Sequence, residues 1–127
     1  MMREKSGTIL AWVAAIMYLL TAAMHMLGFE PTRALAQQGP ADLRPLVPLL
    51  WLSFALSLVV LAAIVAACAH RGASADRLIL ALTALGPLSG ALVQIVYIGF
   101  VLPSAILLFD AALALTAAAL LPGRSPG

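Results

Sequence analysis

Long apolar runs alternate with short polar breaks along the chain. A bilayer core of about 30 Å is crossed by about 20 residues of helix, since each residue adds about 1.5 Å. Lipid offers no hydrogen bonds to free backbone groups, so apolar runs of this length are expected to be helical. The pattern predicts four spans, at residues 8–27, 46–69, 78–98 and 103–121.

The last two spans come from one apolar stretch, residues 78–121. This stretch is too long for one span and has the right length for two. The break is expected at Gly99–Pro103, as a tight hairpin at the membrane surface. Pro103 is tolerated in the first turn of a helix. Pro87 lies inside the third span and should kink it, because proline lacks the N–H that would bond the carbonyl one turn earlier.

Two glycines in the third span, Gly86 and Gly90, have the small-x-x-x-small spacing that lets helices approach closely. The same spacing arises by chance in alanine-rich spans, so only the glycine pair is expected to mark packing. The other pairs are Ala112/Thr116, Ala114/Ala118 and Ser53/Ser57.

The distribution of basic residues predicts the orientation. An even number of spans places both termini on one side of the membrane, and five of the seven Lys and Arg residues lie on that side. The positive-inside rule then predicts cytoplasmic termini for this up-down-up-down bundle. The expected location is a bacterial inner membrane. The external loop is residues 28–45, in which residues 32–38 could form a short surface helix. The five are Arg3, Lys5, Arg71, Arg77 and Arg124, and the two opposite are Arg33 and Arg44.

Composition supports a single membrane domain. Hydrophobic residues make up 64% of the chain and charged residues 9%, whereas soluble domains have about 25% charged residues. No basic patch indicates a nucleic-acid partner. The basic start and the Ala34-Leu35-Ala36 sequence resemble a signal peptide, but the first apolar run exceeds the usual length of about 7–15 residues. It is therefore expected to remain as a span.

Only two side chains that readily carry charge, His25 and Asp110, lie inside the predicted spans. Such residues are costly in lipid, and they usually face a bundle interior and mark function. Counting residues inward from the span ends places both in the external half of the membrane, at depths similar to those of Trp51 and Gln94.

Helical periodicity predicts a partly polar cavity in that half. One inward stripe consists of Tyr18, Thr21 and His25, and another of Thr83, Pro87, Gly90, Gln94 and Tyr97. Asp110 is expected to point at the same place, with Trp51 and Phe109 as walls. The candidate ligand-binding residues are Tyr18, Thr21, Trp51, Gln94, Tyr97 and Asp110.

Two protonation states of Asp110 are considered. In apolar surroundings a carboxyl group favours its neutral form, whereas beside His25 it could hold an imidazolium, and the pair would titrate together. Either arrangement could exchange a proton. In a purely structural alternative, Asp110 is a neutral acid that bonds Gln94 or a backbone carbonyl and holds helices together.

No metal or cofactor is expected. Met24, His25 and Met26 are ligand types that suit Cu(I), but consecutive helical residues point in different directions and cannot converge on one ion. His25 and His70 fall near opposite membrane surfaces, which argues against a bis-histidine haem. Motifs for a nucleophile elbow, a zinc site or a phosphate loop are absent from the sequence.

Three function classes remain. The first, which we favour, is a non-enzymatic membrane protein, either an accessory subunit or a binder of a small apolar ligand in the outer cavity. The second is an enzyme acting on a lipid-soluble substrate, with Asp110 and His25 as acid and base. The third is a proton-coupled transporter component that uses Asp110. Membrane lipid is the expected environment, and a homo-oligomer or larger membrane complex is an expected assembly.

Overall fold

The computed structural model describes residues 2–72 and 77–121 of the chain, and its regular elements there are all helices. Four helical segments are long and apolar enough to cross a membrane. Large apolar side chains cover their outward faces, as at Leu50 and Val96, which are 70% and 75% exposed. A surface of this kind suits lipid rather than water. The prediction of an all-α bundle with four spans is confirmed.

The first span begins earlier than predicted. Helix α1 is Met2–Leu27, so the polar residues before Thr8 are also helical. The Arg3 guanidinium donates a hydrogen bond of 2.9 Å to the Ala119 carbonyl near the end of the last span. This contact gives the polar first turn of α1 a partner within the bundle.

The loop predicted to be external begins with a short helix, α2, Phe29–Ala36. It starts before the predicted surface helix at residues 32–38, because Pro31 lies in its first turn, where a missing N–H is harmless. Glu30 and Arg33 form an exposed ion pair of 2.7 Å along this helix. Helix α2 packs mainly against the next helix, and the loop therefore stays close to the bundle.

The second span is α3, Leu46–Arg71, which begins at the predicted residue and is the least buried of the four. Two exposed serine hydroxyls on α3 donate to the carbonyl four residues earlier in the same helix. Ser53 donates to the Leu49 carbonyl and Ser57 to the Ser53 carbonyl, each at 2.8 Å. Polar side chains on the outward face of α3 are thus satisfied by their own helix.

The third span, in which Pro87 predicts a kink, is interrupted. It consists of α4, Arg77–Leu82, and α5, Leu85–Tyr97. Since Pro87 has no N–H for the Thr83 carbonyl, that carbonyl is free for another donor. The hydroxyl of Tyr18, from α1, donates to it at 3.1 Å. The break is therefore also a contact between spans.

The last span is α6, Leu102–Leu120, joined to α5 by the predicted hairpin. Gly99 in this hairpin has a φ of 100°, a conformation that favours glycine. The Ser104 hydroxyl, buried in the first turn of α6, accepts from the Val101 N–H at 3.0 Å and donates to the Val101 carbonyl at 2.6 Å. The hairpin end is thus held by local hydrogen bonds.

The core is a seam of small residues. Helix α1 lies between α3 and α6 and makes its main contacts with both. The backbones come close at Gly7, where an added Cβ would lie 3.0 Å from the Leu121 backbone nitrogen. Small side chains let neighbouring membrane helices pack closely. The buried alanines of this seam are Ala11, Ala14, Ala15, Ala111, Ala114, Ala117 and Ala118.

Gly86 and Gly90 mark packing, as predicted, but they receive side chains rather than a helix backbone. A Cβ added at Gly86 would collide with the Leu61 side chain, and one at Gly90 would lie 2.8 Å from the Phe54 ring. Helices α3 and α5 otherwise make little contact with each other. The two glycines therefore leave room for side chains of α3 to pack against α5.

Candidate functional site

A cavity of about 480 Å³ lies where the end of α1, the start of α3, the end of α5 and the start of α6 meet. This is the end of the bundle that carries the predicted external loop. The wall is mostly apolar, with four polar or partly polar side chains, Thr21, His25, Trp51 and Gln94. The remaining lining residues are Met24, Gly28, Phe54, Ile98, Val101, Leu102, Pro103, Ile106 and Leu107.

His25 and Trp51 form a reciprocal pair on one wall. The Trp51 indole donates to the His25 carbonyl at 2.8 Å, and His25 Nε2 lies 3.1 Å from the Trp51 carbonyl. A carbonyl only accepts, so Nε2 carries the hydrogen of this bond. The two rings stack with centroids 4.1 Å apart and 12° between their planes. This pair fastens the end of α1 to the start of α3.

Gly28 makes room for that pair. A Cβ at Gly28 would lie 2.7 Å from Cζ2 of Trp51, so a larger residue would displace the indole. Phe54, one turn along α3, contacts the His25 ring edge-on with centroids 5.0 Å apart. The rings therefore form a continuous aromatic wall, with its polar hydrogens turned toward backbone carbonyls.

Thr21 connects the cavity to Asp110. Thr21 lines the cavity, and its hydroxyl donates to Oδ2 of Asp110 at 2.6 Å. The Asp110 side chain is fully buried, and its other oxygen, Oδ1, has no hydrogen-bond partner. Asp110 thus faces the bundle interior, as predicted, but it lies behind Thr21 instead of on the cavity wall.

Gln94 contributes a second unpartnered oxygen. Its Oε1 is buried and has no hydrogen-bond partner, and its side chain lines the cavity from α5. A buried acceptor without a partner costs about 1–3 kcal/mol. A bound molecule that donates a hydrogen bond would explain an unsatisfied acceptor of this kind.

No protein family, curated protein or solved structure matches this chain. What the site can do must be read from its own residues. Within the described ranges, no three His, Cys, Asp or Glu side chains converge on a point that could hold a metal ion. The cavity offers apolar surface and a few hydrogen-bonding groups, a combination typical of small-molecule pockets.

The structure brings together some of the predicted site residues. Thr21, Trp51 and Gln94 share the cavity wall, and His25 joins them there. Tyr18 is fully buried nearer the middle of the bundle, where its hydroxyl bonds the broken helix. Like Asp110, it is absent from the cavity wall, so the expected direct contact of these two with a ligand does not follow from their positions.

Two residues predicted to face the cavity face outward. Tyr97, expected on an inward stripe as a ligand-binding residue, is 82% exposed, and Phe109, expected as a wall, is 53% exposed; neither lines the cavity. Tyr97 is the last residue of α5, where extrapolation of the helical stripe is least reliable. Phe109 precedes Asp110, and adjacent helical residues point about 100° apart. With Asp110 turned inward, Phe109 is left on the lipid-facing side.

His25 and Asp110 do not form the expected acid–base pair. The imidazole bonds the Trp51 carbonyl and the carboxyl accepts from Thr21. Across residues 2–72 and 77–121, no hydrogen bond or ion pair joins the two side chains. The residues that most directly surround the cavity, such as Phe54 and Ile106, are apolar and carry no distinguishing signal in the sequence.

Proposed function

We propose that this membrane protein binds a small apolar ligand in the outer cavity and is not an enzyme. The observation that carries the proposal is a cavity of about 480 Å³ with an apolar wall and few polar groups. Small-molecule sites have volumes of about 300–1,000 Å³ and the same composition.

The alternatives gain no specific support. Acid–base catalysis by Asp110 and His25 would need both groups to reach one substrate, and Asp110 lies behind Thr21. A proton-coupled transporter needs a polar route through the membrane. Toward the other end of the bundle from Asp110, the α1–α6 seam consists of packed alanines such as Ala114 and Ala118.

The ligand proposal is tested by filling the cavity. Ile106→Trp places a large ring in the lining, and Leu115→Trp places the same ring on the exposed face of the same helix, where Leu115 is 46% exposed. We expect native mass spectrometry of protein released from nanodiscs to show a bound molecule in the wild type and in Leu115→Trp. Ile106→Trp should lose that molecule.

Equal occupancy in both tryptophan variants, or an empty wild-type protein, would contradict the proposal. Thermal unfolding should show that both variants fold, so that loss of ligand is not loss of structure. The same spectra report a homo-oligomer or a partner subunit, for which the exposed apolar face of α3 offers a surface.

We further propose that the protein lies in a bacterial inner membrane with cytoplasmic termini. The Arg3–Ala119 and Arg77–Ala118 hydrogen bonds place the start of α1 and the end of α6 at the same end of the bundle. Arg124, which contributed to the prediction, lies outside the described residues. The excess of basic residues at this end supports a cytoplasmic position.

Cysteine labelling tests the orientation. In a Cys68→Ala background, Gln38→Cys lies in the external loop and Ser6→Cys near the N-terminus, and both positions are exposed. We expect a membrane-impermeant maleimide to label Gln38→Cys in intact cells and Ser6→Cys only after lysis. The reverse pattern would place the termini outside.

A further inference from the structure

Building on the proposed function, we infer that the ligand of the outer cavity is an apolar molecule that ends in a hydroxyl group. Long-chain and isoprenoid alcohols belong to this class. The inference comes from the direction of the hydrogen bond that Thr21 makes, which leaves its hydroxyl able to accept from a ligand but not to donate to one.

Thr21 can act toward the cavity only as an acceptor. A threonine hydroxyl has one hydrogen and two lone pairs, and the hydrogen is used in the 2.6 Å bond to Asp110. Thr21 is only 8% exposed, so the orientation of its hydroxyl is fixed by this contact. The free lone pair remains for a ligand that brings its own hydrogen.

The other side-chain donors on the wall are also engaged. The Trp51 indole N–H bonds the His25 carbonyl, and His25 Nε2–H bonds the Trp51 carbonyl. Neither can turn to a ligand without breaking the stacked pair. Of the side-chain N–H and O–H groups in the lining, only the amide of Gln94 is not used in a hydrogen bond.

Gln94 completes the match to a hydroxyl group. Its buried Oε1 has no partner, and its amide nitrogen carries two N–H donors that can bond the oxygen of an alcohol. An alcohol donates one hydrogen and accepts others, so its single hydroxyl can satisfy an acceptor on this wall. An ether or a ketone has no hydrogen to donate, so it can accept from the Gln94 amide but leaves Thr21 Oγ1 unpaired.

Asp110 is a positioning residue in this arrangement. It lies outside the cavity and acts through Thr21, whose hydroxyl hydrogen it holds away from the ligand. The carboxyl group thus does not touch the ligand, but it sets the direction in which the Thr21 hydroxyl points.

The test compares an alcohol with its methyl ether. Trp51 lines the cavity and serves as the fluorescent reporter once the other tryptophan, 44% exposed on the outer surface, is removed by Trp12→Phe. Dodecanol and dodecyl methyl ether are titrated separately into phospholipid nanodiscs that contain this protein. The saturable change in Trp51 emission is read at equal mole fraction of each compound in the bilayer.

We expect dodecanol to bind about 10-fold more tightly than the ether, the ratio that one hydrogen bond can give. Thr21→Val keeps the shape of the side chain and removes the acceptor, so the ratio should fall to about 3-fold or less. Thr21→Ser keeps the hydroxyl and should restore the preference. Unchanged Trp51 emission before ligand is added shows that the wall is intact in each variant.

Equal affinity for alcohol and ether in the wild type would overturn the inference, as would a preference that survives Thr21→Val. In both cases the cavity would still bind apolar molecules, and the proposed function would stand. Absence of saturable binding by dodecanol would also overturn it. The ligand found by native mass spectrometry then decides separately whether the cavity is occupied by another class of molecule.

Discussion

Replacement of Asp110 with leucine is expected to raise the free energy of unfolding by about 1–2 kcal/mol. The carboxyl group is fully buried, and its Oδ1 has no hydrogen-bond partner, which costs about 1–3 kcal/mol in a folded protein. Leucine has the same branched arrangement of heavy atoms and no polar group to desolvate. The substitution therefore removes the cost without opening a large cavity.

The hydrogen bond from Thr21 is lost in this variant, but its hydroxyl has another acceptor within reach. A threonine in a helix can donate to the carbonyl four residues earlier, which for Thr21 is that of Met17. The protein already uses this bond elsewhere, at Ser53, Ser57 and Thr116. The stability lost with the Thr21–Asp110 hydrogen bond should thus be largely restored by a hydrogen bond within α1.

The measurement is an SDS titration in mixed micelles followed by helical circular dichroism. Asp110→Asn keeps the shape but places amide hydrogens where Oδ1 has no partner, so its stability should not exceed that of the wild type. Thr116→Val removes an exposed hydroxyl from the same helix and should change stability by less than about 0.5 kcal/mol.

Asp110→Leu also decides between structural and functional accounts of the carboxyl group. A loss of more than about 1 kcal/mol would show that Asp110 holds α1 and α6 together, the structural alternative considered for it from the sequence. A gain would show that the folded protein carries the group at a cost. Such costs are typical of functional positions, where stability is sacrificed to a site.

The number and place of the spans could be predicted from the sequence, because lipid imposes strict limits on length and on backbone hydrogen bonding. Helix α3 begins at the predicted residue, Leu46, and the hairpin lies between Tyr97 and Leu102. A kink was predicted at Pro87, because its missing N–H acts whatever the surroundings, and the third span is in fact interrupted one turn earlier, between Leu82 and Leu85. The helical first turn of α1 was not predictable in this way, since it depends on Arg3 reaching a carbonyl of α6.

The rotation of the helices was harder to predict. Helix α6 is almost uniformly Leu and Ala, so its apolar pattern fixes no inward face. In the structure, alanines such as Ala114 turn inward and leucines such as Leu115 turn outward, because helices in lipid associate through close packing of small residues. Attention to small residues on α6 would have placed Phe109 outside the cavity.

Most of the other differences between the predicted and the observed site come from hydrogen bonds that join different helices. The sequence indicated that His25, Thr21 and Asp110 share one region; in the structure His25 and Thr21 line the same cavity, and Thr21 bonds Asp110. Which hydrogen bond each forms depends on distances of a few ångströms between helices, and these are not encoded in the spacing along one helix. The His25–Trp51 pair is an example, since each side chain bonds a backbone carbonyl of the other residue.

Tyr18→Phe is expected to lower the free energy of unfolding by about 1–3 kcal/mol. The Tyr18 hydroxyl donates to the Thr83 carbonyl, which has no intrahelical donor because Pro87 stands where that N–H would be. Phenylalanine would leave this buried carbonyl without a partner in an apolar surrounding. The ring itself, fully buried in the α1 core, would stay in place.

A double-mutant cycle with Pro87→Ala tests whether Tyr18→Phe is destabilising because Pro87 leaves the Thr83 carbonyl without a donor. Alanine restores an N–H at position 87, which can bond the Thr83 carbonyl once α4 and α5 join into a continuous helix. Tyr18→Phe should then cost less than half as much in the Pro87→Ala background, a coupling of about 1 kcal/mol or more. Equal costs in both backgrounds would mean that the hydroxyl does not compensate for the proline, and that the break in the third span is stabilised by packing around Leu80 and Ala84 alone.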